Sequence, residues 1–387
     1  MVLRWGGLSL LGIPGSREDG VKRGSNDSRA HPTGPQIPEE ESLSHLLPTI
    51  ERDSQLRGFE VAKLPEQFKS ATKNVEPEEA DKTNASEAHK EVRAVLEADE
   101  TLAQHQIDTL LIGSYGRKVS IRRIKDVDVF SMLEKDTDDL DPADLLLHFR
   151  SVLENEYGDR VTPQDRSVKV DFPLYNLAVD AVPARPLEDH WEIPDRDGGW
   201  EQTNPLELGR ITSELNDQHE LAGHGIYVPT VKLVRQVPRA ALIDKPSGLY
   251  FEILTLHAFQ DNELEADSQA EYLTLALEGT EAVMLDALIN GLPDPTLDGE
   301  IIDTSATDEQ LQAAYAKLAS AARDAREALN ELDDCASAKM WRDLLGKDPE
   351  GEFVFPMPEH CNEDGSRAFV AVQPGESRVP RGNDRYA

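Results

Sequence analysis

A glycine turn set between two strand-patterned segments constrains this chain's fold more than any other feature. Thr109-Leu-Leu-Ile-Gly113 and Asp126-Val-Asp-Val-Phe-Ser-Met-Leu133 both read as β-strands, the second alternating acidic with apolar residues at its start. Side chains alternate in direction along a strand. Asp126 and Asp128 therefore share one face, while Val127 and Val129 point to the other, into a core. The turn between them, Gly113-Ser-Tyr-Gly-Arg117, lets the backbone come close to a ligand. Its amide N–H groups and the Ser114 hydroxyl are suited to hold phosphate oxygens. It is not the GxxxxGK[ST] phosphate loop, which occurs nowhere in the chain.

Acidic residues are abundant here, 74 against 40 basic ones for a formal charge of −34, so an Asp-x-Asp pair alone carries little information. Its setting carries more. Two neighbouring carboxylates repel unless a cation lies between them. Asp180, near the end of another predicted strand (Asn176 to Val182), brings a third to the same edge. Three carboxylates together with nucleoside triphosphate oxygens suit two Mg²⁺ (or Mn²⁺), hard ions that complete their shells with phosphate and water. Arg117 reads as a structural or phosphate-side cation rather than a base.

The charge disfavours a broad surface that tracks long DNA or RNA, since such affinity comes largely from Lys and Arg. Its plainer cause is a protein kept soluble by self-repulsion, as in salt-adapted proteomes. No apolar run reaches the length of a membrane span, and the Trp5–Gly15 stretch lacks a signal-peptide cleavage site. Cys335 and Cys361 do not make a disulfide framework, so both are expected to be ordinary thiols in a reducing cytoplasm. His219 and His224 stand near Asp217 and Glu220, but no partner completes a zinc pattern.

Along the chain, residues 1–45 read as a disordered extension, 46–190 as an α/β catalytic part with a leading helix, 191–350 as a helical part, and 351–387 as a loosely ordered tail. Helix is expected over much of 46–104, with N-cap side chains offered by Thr83 to Ser86, and again over Pro142 to Glu154. Val168–Phe172 reads as a strand. The Pro- and Gly-rich stretch Pro183–Pro205 reads as a loop between the two parts. Thr307 to Gly346 reads as one long helix, opened by a Thr307/Gln310 capping box and carrying an apolar seam from Leu311 to Leu332 that is expected to pack within the chain.

The order G-S-x-x-R, D-x-D and a later strand Asp resembles the nucleotidyltransferase fold of the DNA polymerase β superfamily. The segments Val179–Ala184, Trp200–Leu208, Lys232–Arg235, Lys245–Glu252 and Met340–Gly346 are similar to bacterial cGAS/DncV-like nucleotidyltransferases, over roughly residues 46 to 356. The resemblance implies an α+β fold, a polymerase β-like mixed sheet plus a mostly helical C-terminal lobe, with a nucleotide cleft between. It implies a synthase of cyclic di- or trinucleotide second messengers, acting in anti-phage defence with activating or effector proteins from the same operon. Carried over, Gly113, Ser114, Arg117, Lys232 and Ser247 would contact nucleotide phosphates, Tyr250 would stack on a base, and Asp126, Asp128 and Asp180 would hold the metal. This chain departs from the family pattern at Val119, followed by Ser120, where a Thr is usual. Two rivals share the motif: a template-independent RNA-tailing enzyme of the CCA-adding or poly(A) type, and a degenerate lobe kept as a binding scaffold.

Overall fold

The structure, a computed structural model, describes residues 62–261 and 264–368. The expected extension over residues 1–45 and the last part of the tail lie outside the described residues.

Three helices open the fold: α1 (Pro65–Val75), α2 (Glu79–Glu97) and α3 (Glu100–Gln104). Strand β1 (Ile107–Ile112) leads into the one-turn helix α4 (Gly113–Gly116), followed by β2 (Asp126–Leu133) and α5 (Pro142–Tyr157). Then come β3 (Val161–Pro163), β4 (Val168–Phe172), β5 (Leu177–Leu187), β6 (His190–Pro194) and β7 (Trp200–Thr203). The remainder is helical apart from the small hairpin of β8 (Glu220–Leu221) and β9 (His224–Gly225). Its helices are α6 (Pro205–Gln218), α7 (Tyr227–Ala240), α8 (Gly248–Asp261), α9 (Gln269–Asn290), α10 (Asp308–Asn330) and α11 (Asp334–Leu345).

The sheet runs β1-β2-β5-β4-β3, with β6 and β7 continuing from the far end of β5. It is mixed: β2 and β5 are parallel, and the other pairs are antiparallel. One face is covered by α2 and α5. Val127, Val129, Val170 and Val179 pack there with Val92, Leu96, Phe149 and Leu153. A parallel pair needs such cover, because its crossover lays a helix on the sheet. A second, larger core joins the later helices and includes α1, whose Phe68 sits edge-on to Trp341 and Phe355, each at 5.0 Å.

Several expectations need correction. Pro183–Pro205 is not a loop, because β5 runs on to Leu187 and pairs with β6, which pairs with β7. Pro183, Pro186 and Pro194 all fall within these paired strands. Thr83 lies inside α2 and donates to the Glu79 carbonyl at 2.8 Å rather than capping a helix. The long C-terminal helix is two, broken at Glu331–Asp333, where the Asp333 carboxylate accepts from the amides of Cys335 and Ala336 to start α11. The Thr307/Gln310 capping box is present, and the seam packs within the chain from Leu318 to Leu329. Residues 351–368 are packed, with Val354 and Phe355 fully buried. Cys335 and Cys361 are not free thiols but form a disulfide.

Candidate active site

Register puts the acidic residues together. In the parallel β2–β5 ladder Asp128 pairs with Asp180, and Asp126 lies two residues along β2 on the same side. The turn after β1 is built around them. Gly113 has φ +66°, and a Cβ there would fall 1.8 Å from Oδ2 of Asp128. Only glycine satisfies both demands, so the turn and the Asp128 carboxylate are fitted to each other. At Gly116 a Cβ would meet the Leu111 carbonyl at 2.7 Å. After α4 the chain folds back, and the amides of Val119 and Ser120 both donate to the Ser114 carbonyl. This brings the Ser114 and Ser120 hydroxyls within 3.0 Å of each other. Ser120, the residue after Val119, lines the cleft beside Ser114.

Burial dominates the electrostatics. Asp128 is half-buried, and the desolvation of its carboxyl pushes it above the usual range; Arg117 opposes this and Asp126 adds to it. Asp180 is raised to about 6, by burial first and then by the neighbouring Asp128 and Asp126. Its Oδ1 atom is buried with no hydrogen-bond partner. The nearest cation to this trio in an ion pair is Lys169, 4.0 Å from Asp126. Three carboxylates on one edge, one with an orphaned buried oxygen, are the oxygen ligands that suit a hard divalent cation.

These groups open into a cleft of about 600 Å³, within the size range of small-ligand sites. Gly113, Ser114, Arg117, Asp126, Asp128, Asp180 and Ser247 all line it. Lys232 and Tyr250 do not. Lys232 is buried, and its Nζ donates to Glu76 of the α1–α2 connection. Tyr250 is packed into the helical core. A helix turns about 100° per residue, so Leu249 and Ile253 face the cleft while Tyr250 does not.

Arg235, one turn beyond Lys232 in α7, lines the cleft instead, together with Arg239. Its Nη1 donates to the Val119 carbonyl at 2.6 Å, and its buried Nε has no partner. Gly248 leaves space for it, since a Cβ there would lie 2.7 Å from Nη2 of Arg235. Arg117 is committed elsewhere: Nε and Nη2 donate to both oxygens of the buried Glu252, at 2.6 and 3.0 Å. That bidentate pair joins α4 to α8.

Residues 63–216 match the model of the Second Messenger Oligonucleotide or Dinucleotide Synthetase domain. Among curated proteins, the chain is 27% identical to the cyclic AMP-AMP-AMP synthase of an Acinetobacter strain, over 73% of this chain and 84% of that protein. It is 26% identical to the probable cyclic AMP-AMP-GMP nucleotide synthase of Salmonella paratyphi B, over 84% of this chain and all of that one. Over these spans the chain is similar to the bacterial cGAS/DncV-like nucleotidyltransferases. Solved structures of this family share its fold. CdnC of E. coli MS115-1, in its complex with HORMA-deltaN, superposes with a TM-score of 0.59 at 17% identity, covering 76% of this chain and 99% of that one. GTP-bound DncV of Vibrio cholerae gives 0.52 at 10% identity, covering 74% and 86%. Nucleotidyltransferases of this family generally work with divalent metal ions, and the carboxylate edge of this one fits such an ion. No described helix is long and apolar enough to cross a membrane.

Proposed function

We propose that the cleft binds nucleoside triphosphates, ATP among them, and joins them into a cyclic oligonucleotide. The observation that carries this reading is the Asp128–Asp180 pair, set side by side in a parallel ladder with Gly113 packed against it. Curated relatives bear the names of cyclic AMP-AMP-AMP and AMP-AMP-GMP synthases, which supports a trinucleotide ring containing adenine.

In each step a ribose hydroxyl oxygen bonds to the α-phosphorus of an NTP, the bond from that phosphorus to the bridging oxygen of the β-phosphate breaks, and pyrophosphate leaves. Asp180 would assist removal of the hydroxyl proton, through the metal it holds or directly. Asp126, Asp128 and Asp180 would hold the Mg²⁺ or Mn²⁺, two ions in this reading, and the metal would supply acidification of the attacking hydroxyl and charge neutralisation at the leaving pyrophosphate. The turn amides and the Ser114 and Ser120 hydroxyls hold the triphosphate. Arg235 supplies a buried guanidinium with an unused donor, the role that the family resemblance implied for Lys232. Arg117 acts through Glu252 and positions the turn. Ser247, on the cleft wall, offers a further hydroxyl. Closing the ring repeats the same chemistry on the linear intermediate.

The product is a signal, so effector or activating proteins of an anti-phage system are its partners. The pairing of E. coli MS115-1 CdnC with HORMA-deltaN in one complex supports a protein partner of this kind. We place the enzyme in the cytoplasm, where NTPs are made.

Purified protein given Mg²⁺ and all four NTPs without polynucleotide should yield a small product that resists phosphatase. A ring has no terminal phosphate, whereas every linear product keeps a 5′-triphosphate. Incorporation into added tRNA without such a product would overturn the reading in favour of an RNA-tailing enzyme. Tight NTP binding with no turnover, in low and high salt alike, would favour a scaffold.

A further inference from the structure

Residues beyond α11 fold back over its first turn and bring three soft or borderline metal ligands together. Cys335 is fully buried, Cys361 is half-buried and His360 is exposed. One ligand atom from each lies within 4.8 Å of the others. The two sulfurs are joined as a disulfide, with Cα atoms 5.4 Å apart. A disulfide makes no use of an adjacent imidazole, yet His360 is held in place. Its Nε2 lies 3.2 Å from Oδ2 of Asp334, and the same carboxylate faces Arg367 at 3.6 Å. The flap carrying these residues is tied by its own bridge between Cys361 and Arg367 and by a turn closed through Asn362, Asp364 and Ser366.

Two thiolates and an imidazole are the ligands Zn²⁺ prefers, and a carboxylate fixing the far nitrogen is the usual support for a zinc-bound histidine. Engagement of Nε2 by Asp334 leaves Nδ1 as the ligating atom. We propose that reduction of the Cys335–Cys361 disulfide creates a Zn²⁺ site formed by both sulfurs and Nδ1 of His360, with water as the fourth ligand. The flap is then fastened to α11 by a covalent bond in one redox state and by a metal in the other. The exchange balances. A dithiol reductant gives two electrons and two protons, the S–S bond breaks, and the donor leaves as its own disulfide. Zn²⁺ then displaces the two thiol protons. This site shares no residue with the carboxylate cleft, so it stands whether or not the proposed synthesis is right.

The test uses the full chain and Co²⁺ as a visible stand-in for Zn²⁺. The disulfide is reduced with a phosphine, which becomes the phosphine oxide by taking oxygen from water and does not compete for metal. The reduced protein should bind one cobalt in a site showing a thiolate-to-metal charge-transfer band and intense tetrahedral visible bands, both abolished by added Zn²⁺. The oxidised protein should show neither. Metal at the carboxylate edge is oxygen-bound and gives no thiolate band, so the two sites are told apart. His360→Ala, at an exposed position, should weaken cobalt binding at least tenfold while leaving disulfide formation intact, and Asp334→Asn should weaken it less. Absence of the thiolate band in reduced, folded protein would overturn the proposal. So would a band of unchanged affinity in His360→Ala.

Discussion

The helical core and the carboxylate edge treat buried polar groups in opposite ways. In the helices, Thr212, Thr230, Thr255, Thr274 and Thr280 each donate to the carbonyl four residues back, at 2.5–2.9 Å. Gln236 donates to the carbonyls of Leu345, the last residue of α11, and of Lys347 beyond it, and Arg117 and Glu252 neutralise each other. The exceptions there that are neutral, Tyr227 Oη and Trp341 Nε1, lack partners at a cost of about 1–3 kcal/mol each. At the sheet edge the half-buried Asp128 and Asp180 are acids of like charge, one with an orphaned oxygen, and desolvation disfavours ionising them. Polar groups are satisfied in one region and like charges face each other in the other, a crowding that a bound cation would relieve.

The contrast can be broken from either side. Trp341→Ala, in the helical core, should cost about 3–5 kcal/mol of stability, with any surviving folded protein still able to turn over NTPs; denaturant melts with an activity assay check this. Asp126→Asn with Asp128→Asn should do the reverse, leaving the fold intact and holding turnover below about 1% of wild type, a loss of ~3 kcal/mol in transition-state stabilisation. Turnover above that level in the double variant would place the metal elsewhere.

The metal-free protein should also reveal the repulsion directly. Asp180 keeps its proton to about pH 6 when folded, whereas the unfolded carboxyl releases it near pH 4. Across that window the native state binds the extra proton, so stability should fall as pH rises, by up to about 3 kcal/mol, and then level off. Asp180→Asn should remove the fall and stabilise the metal-free protein at pH 7 while abolishing turnover. Divalent ions compete with that proton, so their affinity should climb with pH to about 6. A stability curve rising between pH 4 and 6 that Asp180→Asn leaves unchanged would refute the sign.

The smallest effects sharpen the assignment of the cleft wall. Arg235→Ala should raise the KM for ATP at least tenfold. Lys232→Met paired with Glu76→Gln, and Tyr250→Phe, should each change it less than about threefold, because neither side chain reaches the cleft. An equal rise for Lys232 would restore the phosphate role to it.

Much of this is legible in the sequence because period 2 is a strong signal where one face is buried. Asp126–Leu133 and Val168–Phe172 have the bounds their alternation predicts, and the Asp-x-Asp spacing implies the shared face. The acidic edge can be assembled from strand direction alone. Lys232 and Tyr250 are expected at the cleft because the family resemblance carries them there, and helix rotation, which sequence does not resolve to one residue, puts Arg235 at the cleft instead. The β5–β7 ladder is hidden because Pro183, Pro186 and Pro194 look like strand breakers, although all three fall within paired strands. Cys335 and Cys361 belong to no recognisable spacing, and a return of the chain across α11 is what makes them neighbours. The break before Asp333 is masked because the apolar seam runs almost to it, and a single capping Asp among many acids does not stand out.

The parallel pairing of β2 with β5 also dictates when the site comes into being. β1 and β2 meet through a local connection, and β3, β4 and β5 follow one another as antiparallel neighbours, so each group can zip from short-range contacts. Asp128 and Asp180 come together only when the two groups dock side by side across α5. Crowding of Asp180 against Asp128 thus depends on the longest-range strand pairing in the sheet. A nascent chain ending before Leu177 has the glycine turn and Asp126-x-Asp128 but not the edge they serve, and it should ignore divalent ions that shift the melting of the finished protein.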